Sequence, residues 1–172
     1  DTNVLYWYKY QIFIEKESET TKRRASDYYN FVDRLVADGY TLVTTRINVT
    51  ELINIVEKHE YDIYQTLHPE AKYSRKDLRR MPEQRMQLKR ILKTTLTNVR
   101  TICTVQGFEL TDSVLDKCIN TLEEHKCDVF DFAVLSYYKD ANLYNIITDD
   151  SDFSTIDGDF YLYTANENSL LI

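Results

Sequence analysis

The chain has 172 residues, 43% of them hydrophobic and 28% charged, which suits a single domain over residues 1–172 with a substantial core. Only three Gly and two Pro argue against low-complexity segments and against a many-turned β-sandwich. The net charge of −7 is unevenly spread: the stretch from Lys72 to Arg100 holds ten Lys or Arg and two acids, so it carries +8 and the remainder −15.

The first 70 residues predict helices around one strand. Apolar and aromatic residues from 4 to 14 recur at helical spacing, which favours core or dimer-interface packing over base stacking for four aromatic side chains: Trp7, Tyr8, Tyr10 and Phe13. Ser26 is expected to cap a helix that stops at Gly39 and buries three side chains: Phe31, Leu35 and Val36. Residues 40–44 predict a strand, followed by a helix of about 18 residues that ends at 68–69.

The remaining residues predict further helices that alternate with strands. Ser74 and Asp77 form a capping-box pattern, and Pro82 restarts a helix whose apolar face runs from 88 to 102, with Cys103 as inert packing on that face. Helices are expected from Thr111 or Ser113 to about 124 and from about 128 to 138, and strands at 143–148 and 159–164. Strands separated by helices predict an α/β domain with a mainly parallel sheet.

The cysteines and histidines predict no zinc site. The three cysteines form no CxxC pair, and the three histidines lack metal-ligand spacing. No apolar run approaches the roughly 18 residues of a membrane helix, and no signal peptide opens the sequence. We therefore expect a cytoplasmic protein without a membrane partner.

Acidic residues lie where predicted strands end or helices begin. They are Asp1, Glu51, Asp131, Asp150 and Asp152. The carboxyl ends of parallel strands meet at one edge of a sheet, so acids distant in sequence are able to converge there, and their repulsion favours a divalent cation such as Mg²⁺. For each acid taken alone, the competing interpretation is a helix cap or turn residue. An EF-hand is excluded because the TDDSDF segment lacks the turn Gly and the closing Glu.

Four segments resemble successive blocks of the PIN-domain family. They are DTNVL at 1–5, TRINVTELINIVEKHEY at 45–61, DFAVLSYYKDANLYNIITDDSDF at 131–153 and FYLYT at 160–164. The resemblance implies an α/β/α three-layer sandwich with a mainly parallel central sheet. It also implies a Mg²⁺- or Mn²⁺-dependent nuclease that most often cleaves RNA. Small members are commonly dimeric toxins of toxin–antitoxin pairs, which implies a homodimer and an antitoxin partner.

The resemblance also assigns roles to individual residues. It implies metal ligands at Asp1, Glu51, Asp131 and Asp150, with Asp152 as an auxiliary acid. Asn3 and Thr148 would support the site, while Asp128 and Asp149 rank below their neighbours. The sequence departs from the family at Phe132, where a small residue is commoner. It also begins at Asp1, where the family has a preceding hydrophobic strand, and it is longer in the middle, where the basic helical segment at about 72–103 lies.

Eight basic side chains in that segment are candidates for contact with an RNA backbone. They are Lys72, Arg75, Lys76, Arg79, Arg80, Arg85, Lys89 and Arg90. Phosphate contacts would give salt-dependent affinity without sequence preference. The competing interpretation is a solvated helical face. The sequence thus predicts a metal-dependent endoribonuclease, with two alternatives: a structure-selective DNA nuclease that uses the same acids, and a catalytically silent module that binds RNA or protein.

Overall fold

The chain forms a mixed α/β, mostly helical fold in a computed structural model that describes residues 1–9, 18–70, 72–123, 126–156 and 160–167. The helices are α1 Thr2–Lys9, α2 Glu19–Ala37, α3 Arg46–Leu67, α4 Arg75–Arg80, α5 Pro82–Ile102, α6 Asp112–Asn120, α7 Val129–Asp140 and a 3₁₀ helix at Ser151–Thr155. The strands are β1 Leu42–Thr45, β2 Cys103–Gln106, β3 Asn145–Ile147 and β4 Tyr161–Tyr163. No helix in these ranges is long and apolar enough to cross a membrane.

The strands are short and pair in parallel, as the sequence predicts. β1 pairs with β2, with Thr45 opposite Gln106, and β3 pairs with β4, with Ile147 opposite Tyr163. The described residues thus form two separate two-stranded sheets. The backbone nitrogen of Asp1 donates to the carbonyl oxygen of Ile147 at 2.8 Å, which fixes the start of α1 against the end of β3.

Three clusters of buried side chains hold these elements together. One joins α1, α3 and α5 around Leu52 and Val56, and a second joins α7, β3 and the 3₁₀ helix around Ile146 and Phe153. The third packs α1 on α2 through Val4, Tyr28 and Val32. Helix α1 contributes to two of the three clusters, so apolar burial on both sides fixes its position. Trp7 and Tyr8 pack against the third cluster, as expected for core residues.

The predicted start of α2 at Ser26 is wrong. Ser18 is the N-cap, with its hydroxyl accepting from the backbone nitrogen of Thr21 at 3.2 Å, and the helix begins at Glu19. The added turns are polar, so they give no apolar signal in the sequence, although Ala25 and Tyr28 lie on the buried face. Val36, expected to point inward, is 39% exposed because it lies beyond that face. Tyr10 and Phe13 lie outside the described residues.

Local signals predicted several other boundaries correctly. Gly39 has φ +82° directly after α2, a left-handed conformation that suits glycine and ends the helix. Ser74 and Asp77 form the capping box of α4, and Pro82 opens α5. Asp128 is the N-cap of α7, as the sequence indicates.

Strand β2 was missed. The sequence predicts Cys103 on the apolar face of a continuing helix, whereas Cys103 is the first residue of β2. No Gly or Pro separates α5 from β2, so no residue in the sequence marks the change of backbone conformation. Helix α6, predicted to reach about 124, ends at Asn120.

Candidate metal and phosphate site

A pocket of about 500 Å³ is lined by five acids, which come from four separate segments of the chain. We call it the acidic pocket, after these lining side chains: Asp1, Glu51, Asp128, Asp131 and Asp150. Asp1 precedes α1, Asp128 caps α7 and Asp150 caps the 3₁₀ helix. Helix N-termini carry unpaired N–H groups and the positive end of the helix dipole, so acids are favourable at these positions. The fold therefore gathers acids separated by up to 149 residues.

Asp1 is fixed by three donors from two parts of the chain. Its Oδ1 accepts from the backbone nitrogen of Val4 at 2.9 Å. Its Oδ2 accepts from the Thr148 hydroxyl and from the backbone nitrogen of Asp149 at 3.1 Å. The Thr148 hydroxyl also accepts from the backbone nitrogen of Asp150 at 3.0 Å, so one buried side chain connects Asp1 and Asp150. Thr148 is one of the two residues predicted to support the site, and these contacts are its place in the structure.

Glu51 is oriented by a chain of buried polar side chains. The Thr45 hydroxyl donates to Asn48 Oδ1 at 2.6 Å, and Asn48 Nδ2 donates to the Thr2 hydroxyl at 3.2 Å. The Thr2 hydroxyl then donates to Glu51 Oε2 at 2.6 Å. All three donor residues are buried, and burying polar groups costs free energy unless they are hydrogen-bonded. The carboxylate is therefore fixed at the pocket wall by neutral donors.

Asp128 and Asp150 also fulfil the capping roles that were the competing interpretation. Asp128 Oδ1 accepts from the backbone nitrogens of Phe130 and Asp131 at 2.8 and 2.9 Å. Asp150 Oδ1 accepts from the backbone nitrogen of Asp152 at 2.8 Å. A capping carboxylate has a second oxygen, so capping and ion binding are compatible for one residue.

Asp131 is a pocket carboxylate whose charged form is disfavoured by its surroundings. Burial, together with the neighbouring charges of Asp128, Asp150 and Glu51, raises the pKa of its carboxyl from 3.8 to about 7. The backbone N–H of Asp128 donates a hydrogen bond to this carboxylate and opposes part of the rise. Asp131 is thus a carboxylate whose negative charge is opposed by its surroundings, and a proton or a cation would relieve that.

The pKa of the Cys127 thiol also reflects the negative charge of the nearby aspartates. Burial, together with the charges of four aspartates, raises the pKa of its thiol to about 12; these are Asp131, Asp150, Asp152 and Asp128. The thiol is therefore protonated at neutral pH and is a core group, not a nucleophile.

The remaining predicted site residues lie at the margin. Asn3 lines the acidic pocket and is exposed, but Thr2, which the sequence analysis did not single out, contacts Glu51. Asp152 does not line the pocket. Asp149 points the other way: its carboxylate accepts from Trp7 Nε1 at 3.1 Å and Tyr28 Oη at 2.9 Å, and it lies 3.4 Å from Arg24. Asp149 therefore anchors the loop after β3 to α1 and α2.

None of the eight predicted RNA-contacting side chains lines the acidic pocket. Arg75, Arg79 and Arg85 line a second cavity of about 180 Å³ between α3, α4 and α5, which we call the basic groove. Arg79 forms a bidentate pair with Glu57, at 2.5 and 2.6 Å, and this hydrogen bonding lowers the pKa of Glu57. Arg80 lies 3.8 Å from Asp77. The other predicted residues, Lys72, Lys76, Lys89 and Arg90, are exposed.

The donor set of the acidic pocket suits a hard divalent cation, which prefers carboxylate, amide and water oxygens. Within the described ranges, however, no three His, Cys, Asp or Glu side chains are arranged to hold a metal ion. Asp1 and Glu51 are each held by hydrogen bonds from the protein. Binding a cation through three carboxylates would thus require these side chains to rotate toward one another.

Comparison with known proteins assigns no family. No protein-family model matches the chain. Searches of curated proteins and of solved structures find no significant match.

Proposed function

We propose that this chain is a divalent-metal-dependent endoribonuclease with a PIN-like fold. The observation that carries the proposal is that five carboxylates line one pocket, where burial and three neighbouring acids raise the pKa of Asp131 to about 7. Structural carboxylates are normally satisfied by donors or cations, as Asp149 is by Tyr28, Trp7 and Arg24. A group left with a perturbed pKa in a pocket is a candidate functional group.

The proposed PIN-like architecture is a three-layer α/β/α sandwich, and the observed parallel strands would belong to its central layer. Its support is the order of the elements: Asp1 meets the end of β3, and Glu51 lies one turn into the helix after β1. Asp131 opens the helix before β3. This order matches the four sequence blocks that resemble the family. The basic helices α4 and α5 make up the longer middle segment.

In the proposed reaction, Mg²⁺ or Mn²⁺ would be held by Asp1, Glu51, Asp131 and Asp150. When bound, the cation makes a water more acidic and stabilises negative charge on the phosphoryl oxygens. Thr148 fixes the carboxylate of Asp1 and the backbone of Asp150, and Thr2 fixes Glu51. Asp131 would have to be deprotonated to act as a ligand, so metal binding would be coupled to proton release.

The test is cleavage of labelled single-stranded RNA with Mg²⁺ or Mn²⁺ present. Asp131→Asn and Asp150→Asn should each reduce the cleavage rate by at least about 100-fold, because each removes a charged ligand. Asp116→Asn, an exposed change on α6 outside the pocket, is the matched control and should leave the rate unchanged. Wild-type activity in both pocket variants would refute the site. A parallel digestion of single-stranded and branched DNA separates an RNA nuclease from a structure-selective DNA nuclease.

A catalytically silent binding module is the second candidate. The observation that favours it is that no three metal-binding side chains among the described residues are arranged for an ion. In that case, Asp128 and Asp150 would serve only as helix caps. Such a module would bind RNA with the same affinity whether or not Mn²⁺ is present, and would leave every RNA intact.

A further inference from the structure

Among the described residues that line the acidic pocket, Arg46 is the one Lys or Arg. It is the first residue of α3 and is exposed. Among the described residues, its guanidinium has no ion pair, although five carboxylates line the same pocket. An arginine beside five acids is expected to pair with one of them unless something holds it elsewhere.

Gly107 lies directly against the guanidinium of Arg46. A Cβ atom added to Gly107 would lie 2.6 Å from Arg46 Nη1, 2.7 Å from Cζ and 2.9 Å from Nε. Real Cβ atoms do not approach other atoms so closely, so the planar guanidinium occupies space that only glycine leaves free. The guanidinium therefore lies flat against the backbone at this point.

The strand register explains why these two residues meet. β1 and β2 are parallel, and their last residues, Thr45 and Gln106, are paired. Arg46 and Gly107 are the residues that directly follow this pair, so they leave the sheet side by side at its carboxyl edge. Backbone pairing thus brings Arg46 next to Gly107 without any contribution from the acidic side chains.

We propose that Arg46, which packs against Gly107, binds a phosphate of the nucleic-acid backbone at the rim of the acidic pocket. This inference rests on the proposed nuclease function. A pocket of carboxylates repels a phosphodiester, so a substrate needs a nearby cation to approach it. A guanidinium without an acidic partner presents planar N–H donors that match two phosphate oxygens. None of the basic residues of α4 and α5 meets this need, since none lines the pocket.

The test measures the binding of fluorescein-labelled single-stranded RNA by anisotropy over a series of salt concentrations. Mg²⁺ is present, and every protein carries Asp131→Asn, which prevents cleavage. Adding Arg46→Gln should weaken binding about 5-fold and reduce the slope of log K against log salt by about 0.7, the loss of one phosphate contact on a single strand. Arg34→Gln is the matched control: Arg34 is exposed on α2 and does not line the pocket. It should change neither value.

Gly107→Ala is a second variant that keeps Arg46 in the chain. The new methyl group must displace the guanidinium, the flexible end of a side chain, so the fold should be retained while RNA binding weakens in the same direction. Unchanged affinity and salt slope in Arg46→Gln, or no RNA binding by the background protein, would overturn the inference. Cleavage by otherwise wild-type protein reports separately on the nuclease proposal: RNA cleavage with no effect of Arg46→Gln refutes the arginine alone.

Discussion

The acidic pocket and the basic groove differ in whether their charged side chains are neutralised by an opposite charge. In the groove, Arg79 is neutralised by a bidentate pair with Glu57. In the pocket, the donors that hold Asp1 and Glu51 are hydroxyls and backbone N–H groups, which orient a carboxylate without cancelling its charge. The basic helical segment at about 72–103 therefore has part of its positive charge already paired with acids. The pocket retains its negative charge, and this makes it the better candidate for a cation.

The largest effect should come from removing the hydroxyl that connects Asp1 and Asp150. Thr148→Val keeps the shape of a side chain that is 1% exposed, but it leaves the backbone nitrogen of Asp150 without its acceptor and Asp1 without one donor. We expect the free energy of unfolding to fall by about 2–3 kcal/mol in urea denaturation. Thr66→Val, an exposed helical threonine, is the control and should change it by less than about 0.5 kcal/mol. Equal effects would show that the pocket's hydrogen bonds are not special.

The next effect tests whether the pocket's charge is truly unbalanced. The folded protein binds the proton of Asp131 more tightly than the unfolded chain does, because its pKa is raised from 3.8 to about 7. The contribution of this group to stability therefore decreases as pH rises from about 4 to about 7 and is constant above that. Asp131→Asn removes the charge, so in EDTA at pH 8 it should be more stable than wild type by about 1–2 kcal/mol, allowing for solvent screening.

Thermal unfolding at pH 4 and pH 8 checks this sign. The advantage of Asp131→Asn should be small at pH 4 and largest at pH 8. A variant less stable than wild type at pH 8 in EDTA would mean that the Asp131 carboxylate is stabilised by its surroundings, and the contrast with the basic groove would be lost.

The smallest effects concern the basic groove and sharpen the comparison from its other side. Arg85→Gln removes a groove arginine without an ion pair among the described residues and should weaken RNA binding about 2-fold. Glu57→Gln removes the partner of Arg79 and should strengthen RNA binding, by less than about 2-fold, because it frees one cation. Anisotropy measures both. If neither changes binding, the groove is a solvated helical face and not an RNA surface.

What the sequence predicts well in this chain is local. The capping box at Ser74 and Asp77, the stop at Gly39 and the cap at Asp128 depend on residues at most three positions apart. Strand β2 depends on pairing with residues about 60 positions earlier, and its own four residues carry no boundary signal, so it was missed. The sequence does not predict the start of α2, because its first turns are polar and are stabilised as helix only by tertiary packing.

The site divides in the same way. Family resemblance indicated the acids, and the structure places four of the five in one pocket. The buried path from Thr45 through Asn48 and Thr2 to Glu51 was not predictable, since each of these residues reads as an ordinary polar residue until the fold brings α1 against α3. Arg46 lay within a recognised block, but its relation to Gly107 depends on the register of β1 and β2.

The central claim is that the carboxylates of the acidic pocket together bind a divalent cation. Its most direct test is calorimetric titration of the full chain with Mn²⁺ at pH 8, alongside Asp131→Asn and the control Asp116→Asn. The account predicts saturable binding by wild type and Asp116→Asn, and affinity reduced at least about 10-fold in Asp131→Asn. Mn²⁺ binding that is absent from wild type, or equally strong in Asp131→Asn, would contradict it.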